Sequence, residues 1–422
     1  MNCAFRLVFS SSSRGCVKNA SVVLFNMYNL LVIIVAVIYA SSRVSATELC
    51  LSGDFDSQLR HILQTFQLSR NESDKMYRTI DDIKFKLRKR WPDSEVVPFG
   101  SLLSGLTLTT SDIDLSVQIP NSTSFEDRIH VLQEIETLLS AQPALYSGFV
   151  KEERGGWALF TFYHIPLKRS VDLVINNETG VYNSRLMRYF FTLDKRIKAL
   201  GNLLKLWVTV YGYTGRTKLP TYSLYLLIIF YLQQKAMAPP IFILQIDSPT
   251  HFIDEWNYYY NELPYNTTNS ESVYQLLGGF FKYYSEYNFK DYIVSPFVGR
   301  SLRRDAFADI DKFPKEYTLY KEQNIQEMQL RIKNNLNVAT DLCVQDSNHH
   351  DINTTGRVSY EDFMELISHI KALAKLYDEL PSDEFLRAFF TLKPNNEDIF
   401  DYRNYIENET NQNHCFNITI SA

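Results

Sequence analysis

Asp112 and Asp114 stand two residues apart in Ser111-Asp112-Ile113-Asp114-Leu115-Ser116-Val117. That alternation predicts a β-strand, whose every second side chain shares one face of the sheet. Two carboxylates side by side repel unless a cation lies between them. Mg2+ or Mn2+, hard ions that prefer carboxylate and phosphate oxygens, suit such a pair. Upstream, Pro98-Phe99-Gly100-Ser101 supplies a glycine that admits close backbone approach, and amides and a hydroxyl around Ser101 able to hold phosphate oxygens. A third acid, Asp172 in Ser170-Val171-Asp172-Leu173-Val174, has the same strand context. Three carboxylates around two metals would activate an attacking hydroxyl and steady a triphosphate with its leaving pyrophosphate. Asp-x-Asp alone is more readily an exposed acidic loop. Its conjunction with Gly-Ser and a later strand Asp is what points to nucleotidyl transfer.

These residues need a sheet to hold them. Between Glu95 and Asn176, Val96-Val97, residues 113–119, 157–163 and 171–175 read as strands, and residues 125–140 as a helix with Ile129, Leu132, Ile135 and Leu139 inward. Before them, Met76, Ile80, Ile83 and Leu87 repeat at helical spacing, and that helix ends in the basic run Lys84 to Arg90, either a phosphate contact or a solvated face. From Tyr182 to Phe390 helical patterns dominate, at 195–211, 222–234, 273–284 and 363–377. The fold class is therefore α+β, a small mixed-sheet domain plus a larger, mostly helical one with a cleft between them. The expected boundaries are a leader over 1–46, helices packing on the helical domain over 47–91, the sheet domain over 92–180, the helical domain over 181–392 with an insertion at 300–340, and a polar tail over 393–422.

Composition excludes several classes. The 422 residues are 45% hydrophobic with 15 Gly and 14 Pro, enough apolar surface for buried cores and too few breakers for a low-complexity chain. The net charge is -5, and no Asp or Glu precedes Glu48, whereas Arg6, Arg14, Lys18 and Arg43 do. The remainder holds 39 basic against 48 acidic residues, which argues against a protein that coats long duplex nucleic acid. The apolar stretch 22–40 has three readings: a membrane-contacting anchor or signal peptide with Val44-Ser45-Ala46 as cleavage pattern, part of a mitochondrial presequence, or a segment that targets nothing and leaves the protein cytoplasmic. About eight Asn-x-Ser/Thr triplets, such as those at Asn121 and Asn266, suit a lumenal chain but also arise by chance in an Asn-rich sequence. The five cysteines, Cys3, Cys16, Cys50, Cys343 and Cys415, are scattered with no metal or framework spacing, so reduced thiols are expected.

The order Phe99-Gly100-Ser101, Asp112-Ile113-Asp114-Leu115, Val171-Asp172-Leu173 resembles the DNA polymerase β nucleotidyltransferase superfamily. Within it, the chain is most similar to the noncanonical poly(A) polymerases and terminal uridylyltransferases. The similarity continues through Asn183-Ser184-Arg185-Leu186, Leu203-Leu204-Lys205-Leu206-Trp207, Leu219-Pro220-Thr221-Tyr222-Ser223-Leu224, the helix from Leu276 to Tyr284, and Cys343-Val344-Gln345-Asp346. The resemblance implies a nucleotidyltransferase domain followed by a PAP-associated helical domain, acting on an RNA 3′ end with UTP or ATP and with Mg2+ or Mn2+. It further implies that Asp112, Asp114 and Asp172 hold the metals, with Asp172 also drawing the proton from the 3′-hydroxyl. Gly100 and Ser101 would bind triphosphate, Asn183 the ribose, Lys205 the γ-phosphate side and Thr221 the phosphate region, while Tyr222 would stack on the base. Plainer roles stand beside these: Trp207 as core, Tyr222 as packing, Asn183 as a helix cap.

The chain also departs from the family. Thr209 stands where a second lysine is usual, with Arg216 and Lys218 as possible substitutes. After Asp346 the sequence runs Ser347-Asn348-His349-His350-Asp351-Ile352, so Ile352 falls where uridylyltransferases carry a histidine, unless His349 or His350 replaces it. Arg300, Arg303 and Arg304 in the insertion suggest an RNA or partner contact. No recognisable RNA-binding module is present, which leaves RNA choice to the cleft or to a protein adaptor. The competing class is a catalytically weak or inactive scaffold of the same fold that binds nucleotide or RNA.

Overall fold

The computed structural model describes residues 44–122, 124–154, 157–215, 217–308, 312–322, 336–392 and 415–421. The leader up to residue 43, Arg216 and most of the 393–422 tail lie outside them. Glu48–Ile418 forms one compact unit.

Five strands build the central sheet: β2 (Glu95–Phe99), β3 (Ile113–Gln118), β4 (Tyr146–Arg154), β5 (Trp157–His164) and β6 (Arg169–Ile175), in the order β2-β3-β6-β5-β4. β3 and β6 run parallel and the other neighbours antiparallel, so the sheet is mixed. Strand periodicity decides its two faces. Ile113, Leu115, Val117, Phe160, Phe162, Val171, Leu173 and Ile175 point to one side and are buried there. Two amphipathic helices cover that side. One, α2 (Arg70–Arg88), contributes Met76, Ile80, Ile83 and Leu87; the other, α4 (Phe125–Ser140), contributes Val131, Leu132, Ile135 and Leu139. Both start in a capping box, Ser69 with Glu72 and Ser124 with Asp127, which satisfies first-turn amides. The intervening polar residues are thereby forced onto the opposite face.

α2 corrects one expectation. Within the 47–91 segment only α1 (Phe55–Phe66) packs on helices; the apolar stripe of α2 lies in the sheet core beside Val96 and Tyr146. The two halves of that segment serve different layers because their apolar stripes have different partners.

On the open side of the sheet lie the five-residue α3 (Gly100–Ser104) and α5 (Glu178–Thr192), packed on each other. The helical part continues with α6 (Lys195–Val210), α7 (Thr221–Gln234), α8 (Ile241–Gln245), α9 (Val273–Ser285), α10 (Tyr360–Glu379) and α11 (Ser382–Thr391). Trp207 of α6 is buried among Phe281, His369 and Phe389, the core role rather than a ligand role. α7 is buried from Ser223 to Leu232, and Tyr284 of α9 donates its hydroxyl to the Leu227 carbonyl at 2.7 Å.

At the chain ends the structure departs from the sequence reading twice. Residues 415–421, inside the expected polar tail, form β7 (Cys415–Ser421), which pairs with β1 (Val44–Cys50). Cys50 and Cys415 are joined as a disulfide, not held as reduced thiols; Cys343 is buried and free. No helix among the described residues is long and apolar enough to cross a membrane.

Candidate active site

The β3–β6 register pairs Asp114 directly with Asp172. Since Leu115 and Leu173 face the core, both carboxylates project from the open face, and Asp112, one alternation earlier, lies on the same side. Asp172 Oδ1 accepts a 2.7 Å hydrogen bond from the Thr161 hydroxyl, its register partner on β5. Burial, followed by the charges of Asp172 and Asp112, pushes the Asp114 carboxyl up to about 7, against the pull of Lys205 and of a hydrogen bond from the Ser101 N–H. The three acids are therefore crowded enough to oppose one another's ionisation. An all-oxygen donor set whose like charge Lys205 offsets only in part fits a hard divalent cation, which would favour the ionised form of the acids.

Gly100 sits where β2 turns into α3, with φ +62°. A Cβ there would collide with the Asp114 carboxylate, so the glycine is required both by conformation and by the carboxylate packed against it. Its N–H donates to Ser184 Oγ at 2.8 Å. The Ser101 N–H goes to Asp114. Both amides that the sequence offered to phosphate are thus committed to protein oxygens.

Lys205 is buried, with two ammonium protons donated to the Leu106 carbonyl at 2.9 Å and Ser111 Oγ at 3.0 Å. Burial lowers it to about 8, while Asp114 and Asp112 hold it up. It acts electrostatically on Asp114 while bonded to Leu106 and Ser111. Of its neighbours, Thr209 donates back to the Lys205 carbonyl and Lys218 to the Gly212 carbonyl.

Next to Asp172 on the same face, Leu159, Val174, Asn177, Gly180 and Asn183 line a cavity of about 300 Å³. Asn183 Oδ1 accepts from Asn348 Nδ2 at 3.0 Å. The cap of α5 is instead Asn177, whose Oδ1 accepts the Gly180 N–H, so the capping role considered for Asn183 belongs to another residue. Thr221 opens α7 after Pro220, and the Tyr222 hydroxyl bonds Ser347 Oγ at 2.8 Å. Asn183 and Tyr222 are therefore joined through one loop, 346–353. That loop is held by the Asp346 carboxylate, which accepts both the Asn348 and His349 N–H at 2.9 Å.

Neither histidine of the loop is exposed. His350 is buried against Phe297 and Tyr317, and His349 lies on Trp256 with Tyr258 and Asp351 as partners. Ile352 is exposed. Among the described residues, the arginines singled out in the 300–340 segment are also engaged: Arg300 with Glu316, Arg303 with Asp305, and Arg304 with the carbonyls of Phe289, Thr340 and Asp341. In the basic run, Lys86 pairs with Asp82 and Arg90 with Glu134.

Sequence reasoning missed four polar side chains that fix this arrangement: Thr161, Ser184, Ser111 and Asn348. Thr161 carried a signal, being a lone hydroxyl between Phe160 and Phe162 in step with Asp172 once the strands are paired.

Comparison with known proteins agrees with this geometry. The family described as "Poly(A) RNA polymerase, mitochondrial-like, central palm domain" matches residues 55–192. The chain is 25% identical over 312 residues to the Speckle targeted PIP5K1A-regulated poly(A) polymerase of Danio rerio, covering 63% of this chain and 39% of that protein. It is 26% identical over 251 residues to terminal uridylyltransferase cid1 of Schizosaccharomyces pombe, covering 55% and 59%. The first curated relatives it matches are much longer, and the chain spans 39% of their length or less. The crystal structure of the Cid1 poly(U) polymerase bound to Mg and 3′-dATP superposes with a TM-score of 0.65 at 19% identity, over 80% of this chain and 98% of that one. The sheet built on β2, β3 and β6 thus lies in the stretch that the palm-domain family matches, and the relatives to which the chain is similar include both poly(A) polymerases and terminal uridylyltransferases.

Proposed function

We propose that the chain is a template-independent RNA 3′-end nucleotidyltransferase that adds AMP or UMP from the corresponding NTP and releases pyrophosphate. The observation that carries the reading is the Asp114–Asp172 pair on adjacent parallel strands, with Asp112 beside it and Gly100 packed on it. Asp112, Asp114 and Asp172 would hold Mg2+ or Mn2+. Bound there, such ions neutralise the triphosphate and favour the ionised form of the RNA 3′-hydroxyl.

The chain's own residues do the rest. Asp172, oriented by Thr161, accepts the proton of the 3′-hydroxyl as its oxygen bonds to the α-phosphorus. The bond from that phosphorus to the bridging oxygen breaks in line, and the pair of electrons leaves with pyrophosphate. The cavity along Leu159, Val174 and Asn183 receives the nucleoside, with Asn183 and Tyr222 held in place by Asn348 and Ser347. Lys205 favours the ionised form of Asp114, and its third N–H would be the contact left for the γ-phosphate side. Thr221 would meet the phosphates from the start of α7.

Base discrimination should be weak. His349 is packed on Trp256 and His350 against Phe297 and Tyr317, and Ile352 offers no hydrogen bond to a base edge. Purified protein given RNA and each NTP separately should extend with both ATP and UTP; strict use of UTP would show that the loop rearranges to present a histidine. A second reading, a weak or inactive binder, is favoured by the committed amides of Gly100 and Ser101 and by Thr209. Its signature is metal-dependent nucleotide binding without pyrophosphate release.

A further inference from the structure

Cys50 and Cys415 are 365 residues apart, exposed, and joined by a disulfide at the edge of the compact unit. Exposed disulfides persist in oxidising compartments and are reduced in the cytosol. The remaining cysteine of that unit does not compete. Cys343 is buried and its thiol is pushed up to about 12 by burial, and the thiolate is the species that attacks a disulfide. One linked pair plus one inert thiol is a set that survives oxidative folding without scrambling.

The Asn-x-Ser/Thr triplets supply an independent observation, because the fold sorts them. Asn266, in Asn266-Thr267-Thr268, lies exposed in the stretch 259–272, which has no regular secondary structure. Asn121 is exposed in a turn with φ +67°. Asn353, by contrast, spends its side chain inside the loop of the site: Oδ1 accepts from the Val344 and Thr355 N–H, and Nδ2 donates to Thr340 Oγ1. Asn177 caps α5 and lines the candidate nucleoside cavity. A sugar at either of these two would break the site, whereas one at Asn266 touches none of it.

We propose that this protein folds in an oxidising, glycosylating compartment, with Cys50–Cys415 as a structural disulfide and an N-linked glycan on Asn266. The apolar stretch 22–40 is the part of the chain that would direct it there, as the signal-peptide reading holds. The proposal concerns where the fold is made, and it stands or falls separately from nucleotidyl transfer.

The test is to express the full chain in cultured animal cells and run it before and after peptide N-glycosidase, with maleimide labelling before and after reduction. Digestion should speed migration, Asn266→Gln should remove one increment of that shift, and Asn353→Gln should leave the shift unchanged. Mass spectrometry of the wild-type peptide containing Asn266 reads the same site without any variant. Cys50 and Cys415 should label only after reduction. Either an unmodified Asn266 peptide or labelling of Cys50 and Cys415 before reduction would overturn the proposal.

Discussion

Asp114 ties metal affinity to stability through a single ionisation. Its carboxyl is raised to about 7 in the metal-free fold, so the folded chain binds a proton more tightly than the unfolded one. Metal-free protein should then lose stability as pH rises from the ordinary carboxylate range towards 7, by up to about 1.4 kcal/mol per pH unit. Asp114→Asn should flatten that slope and raise the melting temperature at neutral pH without metal, while lowering transfer by roughly a hundredfold or more. A thermal melt series across pH, with and without Mg2+, checks the first half, and primer extension the second. Gly100→Ala should cost about 1–3 kcal/mol, because the left-handed conformation is retained only under strain and the new methyl group meets Asp114. It should also impair transfer, since the acid is the group that gives way.

At the scale of elements, the sheet and the major helices were legible because their periodicities are strong. The strands carrying Asp112, Asp114 and Asp172 alternate cleanly, and the helix at 125–140 faces inward at Val131, Leu132, Ile135 and Leu139. β4 escaped notice because it is an edge strand with a bulge between Ser147 and Val150, where alternation breaks. α2 was given the wrong partner, since an amphipathic stripe states that a helix is half-buried and not against what. The Cys50–Cys415 link was invisible for a related reason, as spacing carries no pairing information across so long a separation. Within the site, the acids and Gly100 could be read from the sequence, whereas the Asn183–Asn348 and Tyr222–Ser347 bonds depend on how the 346–353 loop closes. That loop and α10 each bury a neutral histidine. Burial lowers His350 and His369 to about 3, so the unfolded chain takes up protons that the folded one refuses. Each should therefore make stability fall as pH drops from about 6.5 towards 3, by about 1.4 kcal/mol per unit at most. A His369→Gln variant, compared with wild type by melting across pH 4–7, should lose part of that slope; an unchanged slope would assign the acid sensitivity elsewhere.

For the molecule as a whole, the charge balance fits the site. An acidic body cannot coat long nucleic acid, but it can hold three carboxylates around metals and accept one strand end. The disulfide joins segments near both ends of the compact unit, and reduction should destabilise the protein by roughly 2–5 kcal/mol; melts with and without reductant measure this, provided Cys343 stays unlabelled. The central claim is that the paired acids of β3 and β6 transfer nucleotides to RNA. It is tested most directly by incubating a labelled RNA oligonucleotide with ATP or UTP, Mg2+, and either wild-type protein or Asp172→Ala, with folding of both checked by circular dichroism. The account predicts that the wild type lengthens the RNA and releases pyrophosphate, and that Asp172→Ala does neither while remaining folded. A wild-type protein inert with all four nucleotides in both Mg2+ and Mn2+, or an Asp172→Ala protein as active as the wild type, would contradict it.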